Sequence, residues 1–394
     1  MGKAARRKRH PHVAVFVDTW GGFGQRLLAG IADYVEAHGP WSLFLEMHGL
    51  GGFEPPRLRR WQGDGVLAFI EDRRVAARMA RCGVPIVETD GHVLDGKLPM
   101  VGNDEEGNGR LAAEHLLERR FAHLAFSGYP EQPWAERRRR GFVQALRRAG
   151  YDSQVRHYPR SFDAVNTWEK AQQELAAWLA EQPKPLGLMA CSDRHAHQVL
   201  DACQRAGLAV PDEVAVIGSD NEEAICRLSN PPLSSVANSP YQIGYEAARL
   251  LDQLMSGRAD PARVEPRLIP PQGVITRRST DITVLEDKLV ADALRFIREH
   301  ACEDINVEIM VRKLPVSRSS FFRRFRKAVG QTPHEHILRV RLDRVKELLT
   351  QTSLPLSRVA RLAGMKHSEH MVALFKRRTG MTPGQYRAQH RQQQ

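Results

Sequence analysis

The chain has 394 residues, more than one hydrophobic core usually grows to, so two or three domains are expected. Its formal charge is +12, and the excess is local: residues 286–394 carry 22 Lys/Arg against 11 Asp/Glu, residues 1–285 carry 36 against 35, which suggests a polyanion as partner of the last quarter. Five cysteines, odd in number and never in CxxC spacing, argue against a disulfide framework or a zinc site and fit a reducing, cytoplasmic setting.

The first eleven residues form a basic tail (Lys3-Ala-Ala-Arg-Arg-Lys-Arg9). The apolar run behind it, Val13–Val17, is too short for the core of a signal peptide and reads as a first strand; no run approaches membrane-spanning length, so no membrane role is expected. Further strands are expected at Gly65–Ile70, Pro85–Glu88, His123–Phe126, Leu186–Ala190 and Val214–Gly218. Continuous Val/Ile/Leu runs suit strands buried on both faces, and helical patterns between them (Arg26 to His38, Asn108 to Arg119) imply parallel sheets. The expected fold is a two-lobed α/β sensor over residues 12–280, its second half starting near Phe121, with a cleft lined by loops at the strand carboxyl ends. Gly21-Gly-Phe-Gly24 lacks the P-loop ending and the full GxGxxG spacing, and reads as a tight turn over that cleft. Residues 257–285, with several Pro and Gly and no periodicity, read as a linker region.

Residues 286–394 read as all-helical. Two segments, Val307–Pro333 and Leu356–Pro383, share one plan: a short apolar helix, a turn, then a basic helix ending in Gly and Thr-Pro. The tails Phe325-Arg-Lys-Ala-Val-Gly-Gln-Thr-Pro333 and Phe375-Lys-Arg-Arg-Thr-Gly-Met-Thr-Pro383 repeat at 50 residues, which suggests two helix-turn-helix units. Ser317 is expected to cap one recognition helix and Ser368 the other, with Phe321, Phe325, Met371 and Phe375 facing the core. Arg323 is the best base reader, since a guanidinium grips a guanine edge in two places. Ser319, Ser320 and Phe322, and Ser368, Glu369 and Val372, lie on faces able to reach bases; Arg324, Arg326, Lys327, Lys376, Arg377 and Arg378 suit phosphates or plain solvent. Pro333 to Leu349 should form a helix that spaces the units.

Residues 288–387 resemble the AraC-type DNA-binding domain, through Arg344-Val-Lys-Glu-Leu-Leu349, Val359-Ala-Arg-Leu-Ala-Gly-Met365, Phe375 and Thr382-Pro-Gly-Gln-Tyr-Arg387. Gly364-Met-Lys-His-Ser-Glu-His-Met371 departs from that family, which has an aromatic after the Gly and Leu or Phe in place of Met371. Residues 12–280 resemble the LacI/periplasmic-binding-protein type of sugar sensor, and the fusion of the two resembles XylR-like regulators, in Asn103-Asp-Glu-Glu-Gly-Asn-Gly-Arg110, Val216-Ile-Gly-Ser-Asp-Asn221, Pro232-Leu-Ser-Ser-Val236 and Ile243-Gly-Tyr-Glu-Ala-Ala248. The resemblance implies a sugar between the lobes, held by Asp104, Arg138, Asp193 and Asp220, with Trp134 and Trp20 as stacking surfaces. Phe23 and Gln25 stand where XylR-like proteins have Tyr and Arg; losing that Arg argues against xylose, because a buried hydroxyl site rejects ligands that leave its polar groups unpaired.

The expectation is therefore a regulator, not an enzyme, without cofactor or metal. It would bind double-stranded promoter DNA and a small effector of the sugar class, act as a homodimer, and activate carbohydrate catabolism through RNA polymerase. A transporter's solute-binding protein, an α/β enzyme with a nucleic-acid domain, and a constitutive DNA binder with a silent sensor are the alternatives.

Overall fold

The computed structural model describes residues 10–18, 21–48, 61–70, 73–89, 98–151, 155–160, 168–282, 287–303, 307–312 and 315–391. Two compact units divide the chain, Met1–Thr283 and Val284–Gln394. In the first unit the elements run β1 (His12–Asp18), α1 (Gly22–His38), β2 (Ser42–His48), β3 (Gly65–Ala68), α2 (Arg73–Met79), β4 (Ile86–Glu88), β5 (Val101–Asn103), α3 (Glu105–Glu118) and β6 (His123–Gly128). They continue through α4 (Pro133–Arg148), β7 (Arg156–Pro159), α5 (Trp168–Glu181), β8 (Leu186–Ala190), α6 (Asp193–Arg205), β9 (Val214–Ser219), α7 (Glu223–Leu228), β10 (Ser234–Ala237), α8 (Pro240–Met255), β11 (Arg267–Ile269) and β12 (Gly273–Ile275).

Two sheets form the lobes. The first has strand order β2-β1-β3-β4, all parallel; the second has order β12-β10-β9-β8-β6-β7, parallel except for β12. Both faces of β1 are covered, which is why its sequence reads as an unbroken apolar run. Val13, Val15 and Val17 pack with Leu27 and Ile31 of α1 and Leu251 of α8, while Ala14 and Phe16 pack with Met79 of α2. In the second lobe Leu188 and Val216 meet Leu175 of α5 and Val199 of α6.

The chain crosses between lobes three times, and the crossings are hydrogen-bonded to one another. Asp104 N–H donates to the Ile269 carbonyl (2.9 Å), Gln272 N–H to that of Ala237 (2.8 Å), and Ser239 Oγ to that of Pro270 (3.2 Å). The reading of 257–285 as a linker is thus corrected. Within it β11 pairs with β5, β12 pairs antiparallel with β10, and Ser279 and Thr280 are fully buried, so this stretch closes the sensor rather than leaving it. Its backbone polar groups are satisfied by strands distant in sequence, which composition does not reveal.

The second unit is helical: α9 (Lys288–His300), α10 (Val307–Arg312), α11 (Arg318–Val329), α12 (Pro333–Gln351), α13 (Leu356–Leu362), α14 (Ser368–Thr379) and α15 (Pro383–Arg391). The repeat of 50 residues is structural. Both α11 and α14 end on a left-handed glycine, Gly330 and Gly380 (φ 76° each), which relieves the last carbonyls without a Cβ clash. Thr332 and Thr382 then cap the following helices, with Glu335 and Gln385 bonding back to the cap N–H (2.7 and 2.9 Å). Ile337 of α12 joins the core around Phe321 and Phe325, whereas Leu342, Val345 and Leu349 join that around Met371 and Phe375. One helix thereby carries both helix-turn-helix units.

Candidate effector site and nucleic-acid interface

The carboxyl ends of the second-lobe strands meet in a buried polar network. Arg138, in the second turn of α4 and 3% exposed, donates from Nε to Glu105 Oε2 (2.5 Å), from Nη2 to Glu105 Oε1 (3.2 Å) and to Asp220 Oδ1 (2.8 Å), and from Nη1 to the Cys191 carbonyl (2.6 Å). Asp220 Oδ1 also accepts from Asn238 Nδ2 (2.8 Å), while the buried Asn238 Oδ1 has no hydrogen-bond partner. Burial disfavours the Arg138 charge, but the Asp220 and Glu105 carboxylates outweigh it and hold its pKa above the usual value. Close helix packing sets this geometry: a Cβ on Gly109 of α3 or Gly141 of α4 would overlap the carbonyl of Arg138 or Glu106, so the helix bearing Glu105 lies directly on the helix bearing Arg138.

Asp220 follows β9 with φ 106°, and Asn221 has φ 48°. Non-glycine residues held there cost roughly 1–3 kcal/mol each and persist where the surroundings fix them, here through Asn238, Arg138 and the bond from Arg277 Nη2 to Asn221 Oδ1 (2.8 Å). The first lobe touches this turn: Arg26 Nη2 donates to the Asp220 carbonyl (3.1 Å), and a Cβ on Gly21 would lie 3.1 Å from Glu222 Oε2. Gly21-Gly-Phe-Gly24 is accordingly a strand-to-helix turn facing the other lobe, with Gly21 as the N-cap of α1. Trp134 is partly exposed with Arg138 Cζ 5.0 Å from its ring centroid, and Tyr129 packs edge-on to it at 6.3 Å. An aromatic face beside paired carboxylate and guanidinium groups can hold a polyhydroxylated ring, hydroxyls to the polar side and C–H face to the indole.

The structure brings Trp134, Arg138 and Asp220 together, with Asp104 nearby as the N-cap of α3, accepting from Gly107 N–H (2.8 Å). Asp193 does not join them. It is fully buried and turned under the loop after β9, where Oδ2 accepts from Glu222 N–H (2.7 Å) and Cys226 Sγ (3.4 Å), and burial pushes its pKa up. Phe23 is partly buried against the first-lobe core and the Gln25 side chain is exposed; Trp20 lies outside the described residues. Glu105 and Asn238 were not singled out from sequence; a polar residue just past a parallel strand was the available signal for Asn238.

In the helical unit, Ser317 caps α11, accepting from Ser320 N–H (3.3 Å), as expected. Ser368 does not cap α14: the N-cap is His367, and Ser368, the first helical residue, bonds to Glu369 (3.0 Å). Ser319, Arg323 and Lys327 form one exposed i, i+4 stripe on α11, while Ser320 and Phe322 are partly buried, with Arg318 over the Phe322 ring (5.3 Å). At the same places on α14 stand Glu369, Ala373 and Arg377, flanked by exposed Lys376 and partly buried Val372. The second unit thus has no arginine equivalent to Arg323. Arg324, partly exposed, makes two 2.7 Å bonds to Asp287, the cap of α9. Among the described residues no group of three or more His, Cys, Asp or Glu could hold a metal, and no helix is long and apolar enough to cross a membrane.

Residues 113–280 match a periplasmic binding protein-like domain and residues 310–389 a helix-turn-helix domain. The xylose operon regulatory protein of Escherichia coli K12 is 32% identical over 388 residues, covering 96% of this chain and 97% of that protein. The chain belongs to the xylose operon regulatory protein family. The Haemophilus influenzae member of this family is 30% identical over 93% of the chain. The solved structure of the xylose-binding transcription activator XylR superposes with TM-score 0.78 at 31% identity, covering 97% of this chain and 98% of that one. A complex of the transcriptional regulator CelR with cellobiose matches over 70% of this chain and 86% of its own, with TM-score 0.57 and 25% identity. Like these xylose operon regulatory proteins, the chain is a DNA-binding regulator of transcription, with an α/β sensing half and an AraC-type half. Its relatives are regulators rather than enzymes.

Proposed function

We propose that this regulator binds a sugar between its lobes and, as a cytoplasmic homodimer, uses it to control RNA polymerase at promoters for carbohydrate catabolism, acting as an activator. The observation that carries the effector reading is the Arg138–Glu105–Asp220–Asn238 network beside Trp134, set at the strand ends where open α/β sheets take ligands. The names of the relatives, one a xylose-binding activator and one in complex with cellobiose, support a carbohydrate as the effector class. Residues Asp104, Trp134, Arg138 and Asp220 contact the sugar, Asp220 through its partly exposed carboxylate (17%).

DNA is read by two recognition helices, α11 through Ser319 and Arg323 and α14 through Glu369 and its neighbours, with Lys327, Lys376 and Arg377 on phosphates. The 19-residue α12 extends about 28 Å, comparable to the roughly 34 Å between successive major grooves on one face of the duplex. Sugar binding favours one lobe arrangement, and only its differential affinity for the two states can shift them. The test is thermal stability of the purified protein with a panel of pentoses, hexoses and their acids. A sugar at a hundredfold excess over Kd should add about 2.7 kcal/mol, abolished by Asp220→Ala; no stabilisation by any sugar overturns the effector reading.

A further inference from the structure

A second cation lies at the same sheet edge and has no counter-charge among the described residues. Arg160 directly follows β7, its N–H bonded to the Gly128 carbonyl at the end of β6 (2.9 Å), so it stands at the carboxyl end of the second-lobe sheet beside Tyr129. The residue is 9% exposed and its Nη1 is buried with no hydrogen-bond partner. Among the described residues it forms no ion pair, and its guanidinium lies over the Trp168 ring, 5.6 Å from Cζ to the centroid. Two other cleft guanidiniums differ. Arg138 faces Glu105 and Asp220, and Arg194 faces Glu222 (3.4 Å). Arg26, across the cleft, also forms no ion pair among the described residues and donates to the carbonyl oxygens of Gly22 and Asp220.

Buried charges are ordinarily paired, because an uncompensated ion out of water is costly. A guanidinium left open at a binding cleft is accounted for when the ligand supplies the missing charge, and its planar fork suits carboxylate and phosphate oxygens. Tyr129 lies between the two regions: its ring is edge-on to Trp134, whose face lies under Arg138, and the carbonyl of the preceding Gly128 accepts from Arg160 N–H.

We propose that Arg160 is an anion subsite of the effector cleft, and that the effector is an acidic sugar, carrying a carboxylate or a phosphate, rather than a neutral one. This rests on the cleft being the sugar site. Hydroxyls go to the Asp220–Asn238 side and the anionic group to Arg160, with the ring of Trp168 as a wall.

Titration of the full chain by tryptophan fluorescence tests it, with D-xylose against D-xylonate, D-galactose against D-galacturonate, and D-glucose against D-glucose 6-phosphate. The pairs separate carboxylate from phosphate. At least one acid should bind tenfold or more tighter than its neutral parent, Arg160→Gln should bring that ratio to near one, and Arg160→Lys should restore part of it. The melting curve of each variant without ligand verifies its folding; if Arg160→Gln does not fold, the salt dependence of acid binding to the native protein decides, steep for an Arg160 contact. Neutral sugars that bind as tightly as their acids in all three pairs, or a ratio unchanged in Arg160→Gln, overturn the anion subsite while leaving the sugar site standing. Absence of binding by all six overturns both.

Discussion

Replacing Arg138 by Met keeps much of the side-chain length and removes the charge. Glu105 (3% exposed) then loses two hydrogen bonds and Asp220 one, and both carboxylates are left near each other without a cation. Removing one partner of a buried ion pair typically costs about 3–5 kcal/mol, mostly the penalty of the charge left behind. For a unit of this size that lowers the melting temperature by roughly 10 °C. All six tryptophans lie within residues 1–283, so tryptophan fluorescence follows the melting of the sensor alone. Adding Glu105→Gln to Arg138→Met should recover about 1 kcal/mol or more, since one uncompensated charge disappears and the pair is coupled. Melting within about 1 kcal/mol of wild type for Arg138→Met, with no coupling to Glu105, would refute the network as the organiser of the site.

Three further outcomes follow from the same geometry. Burial holds His195 at about 4, below its usual value, so the unfolded chain takes up a proton below pH 6.5 that the native protein refuses until about 4; its contribution is whole above pH 6.5 and falls by about 2 kcal/mol by pH 5. Asp193, raised by burial, titrates with the opposite sign, so the check is the difference in pH slope between wild type and His195→Asn, which should lose the His195 component. Arg323→Ala should cost about 1–3 kcal/mol on a preferred duplex and relax one base position, whereas Lys327→Ala should weaken all duplexes alike and lower the salt slope by about one, as read by anisotropy. Phe375→Ala empties a fully buried position in the second helix-turn-helix core and should destabilise the second unit by about 3–5 kcal/mol, measured by circular dichroism at 222 nm beside the tryptophan signal, which should not move.

Much of the architecture was legible because its signals are local. The runs at β1, β8 and β9 are buried on both faces and so read as strands, and the recognition helices announce themselves through the terminating Gly330 and Gly380, the Thr-Pro starts of the helices that follow them and the 50-residue repeat. What escaped depends on distant partners. β2 lies at a sheet edge with Leu43 and Leu45 each 47% exposed, so its mixed pattern is not that of a buried strand. β11 and β12 are three residues each, amid Pro and Gly, and exist because β5 and β10 offer them edges. The site divides in the same way. Arg138 and Asp220 sit in recognisable phrases, but burial turned Asp193 inward, and Glu105, Asn238 and Arg160 acquire meaning only when separate strand ends converge.

The central claim is that a sugar in the sensor changes how the AraC-type half binds DNA. The direct test is the affinity of the full chain for a duplex selected from a random pool, followed by anisotropy with and without the sugar that most raises its melting temperature. The account predicts a change of tenfold or more, with DNA raising the protein's affinity for the sugar by the same factor if sugar tightens DNA binding, and loss of the effect in Asp220→Asn. DNA affinity that is indifferent to a bound sugar, or an undiminished response in Asp220→Asn, would contradict it.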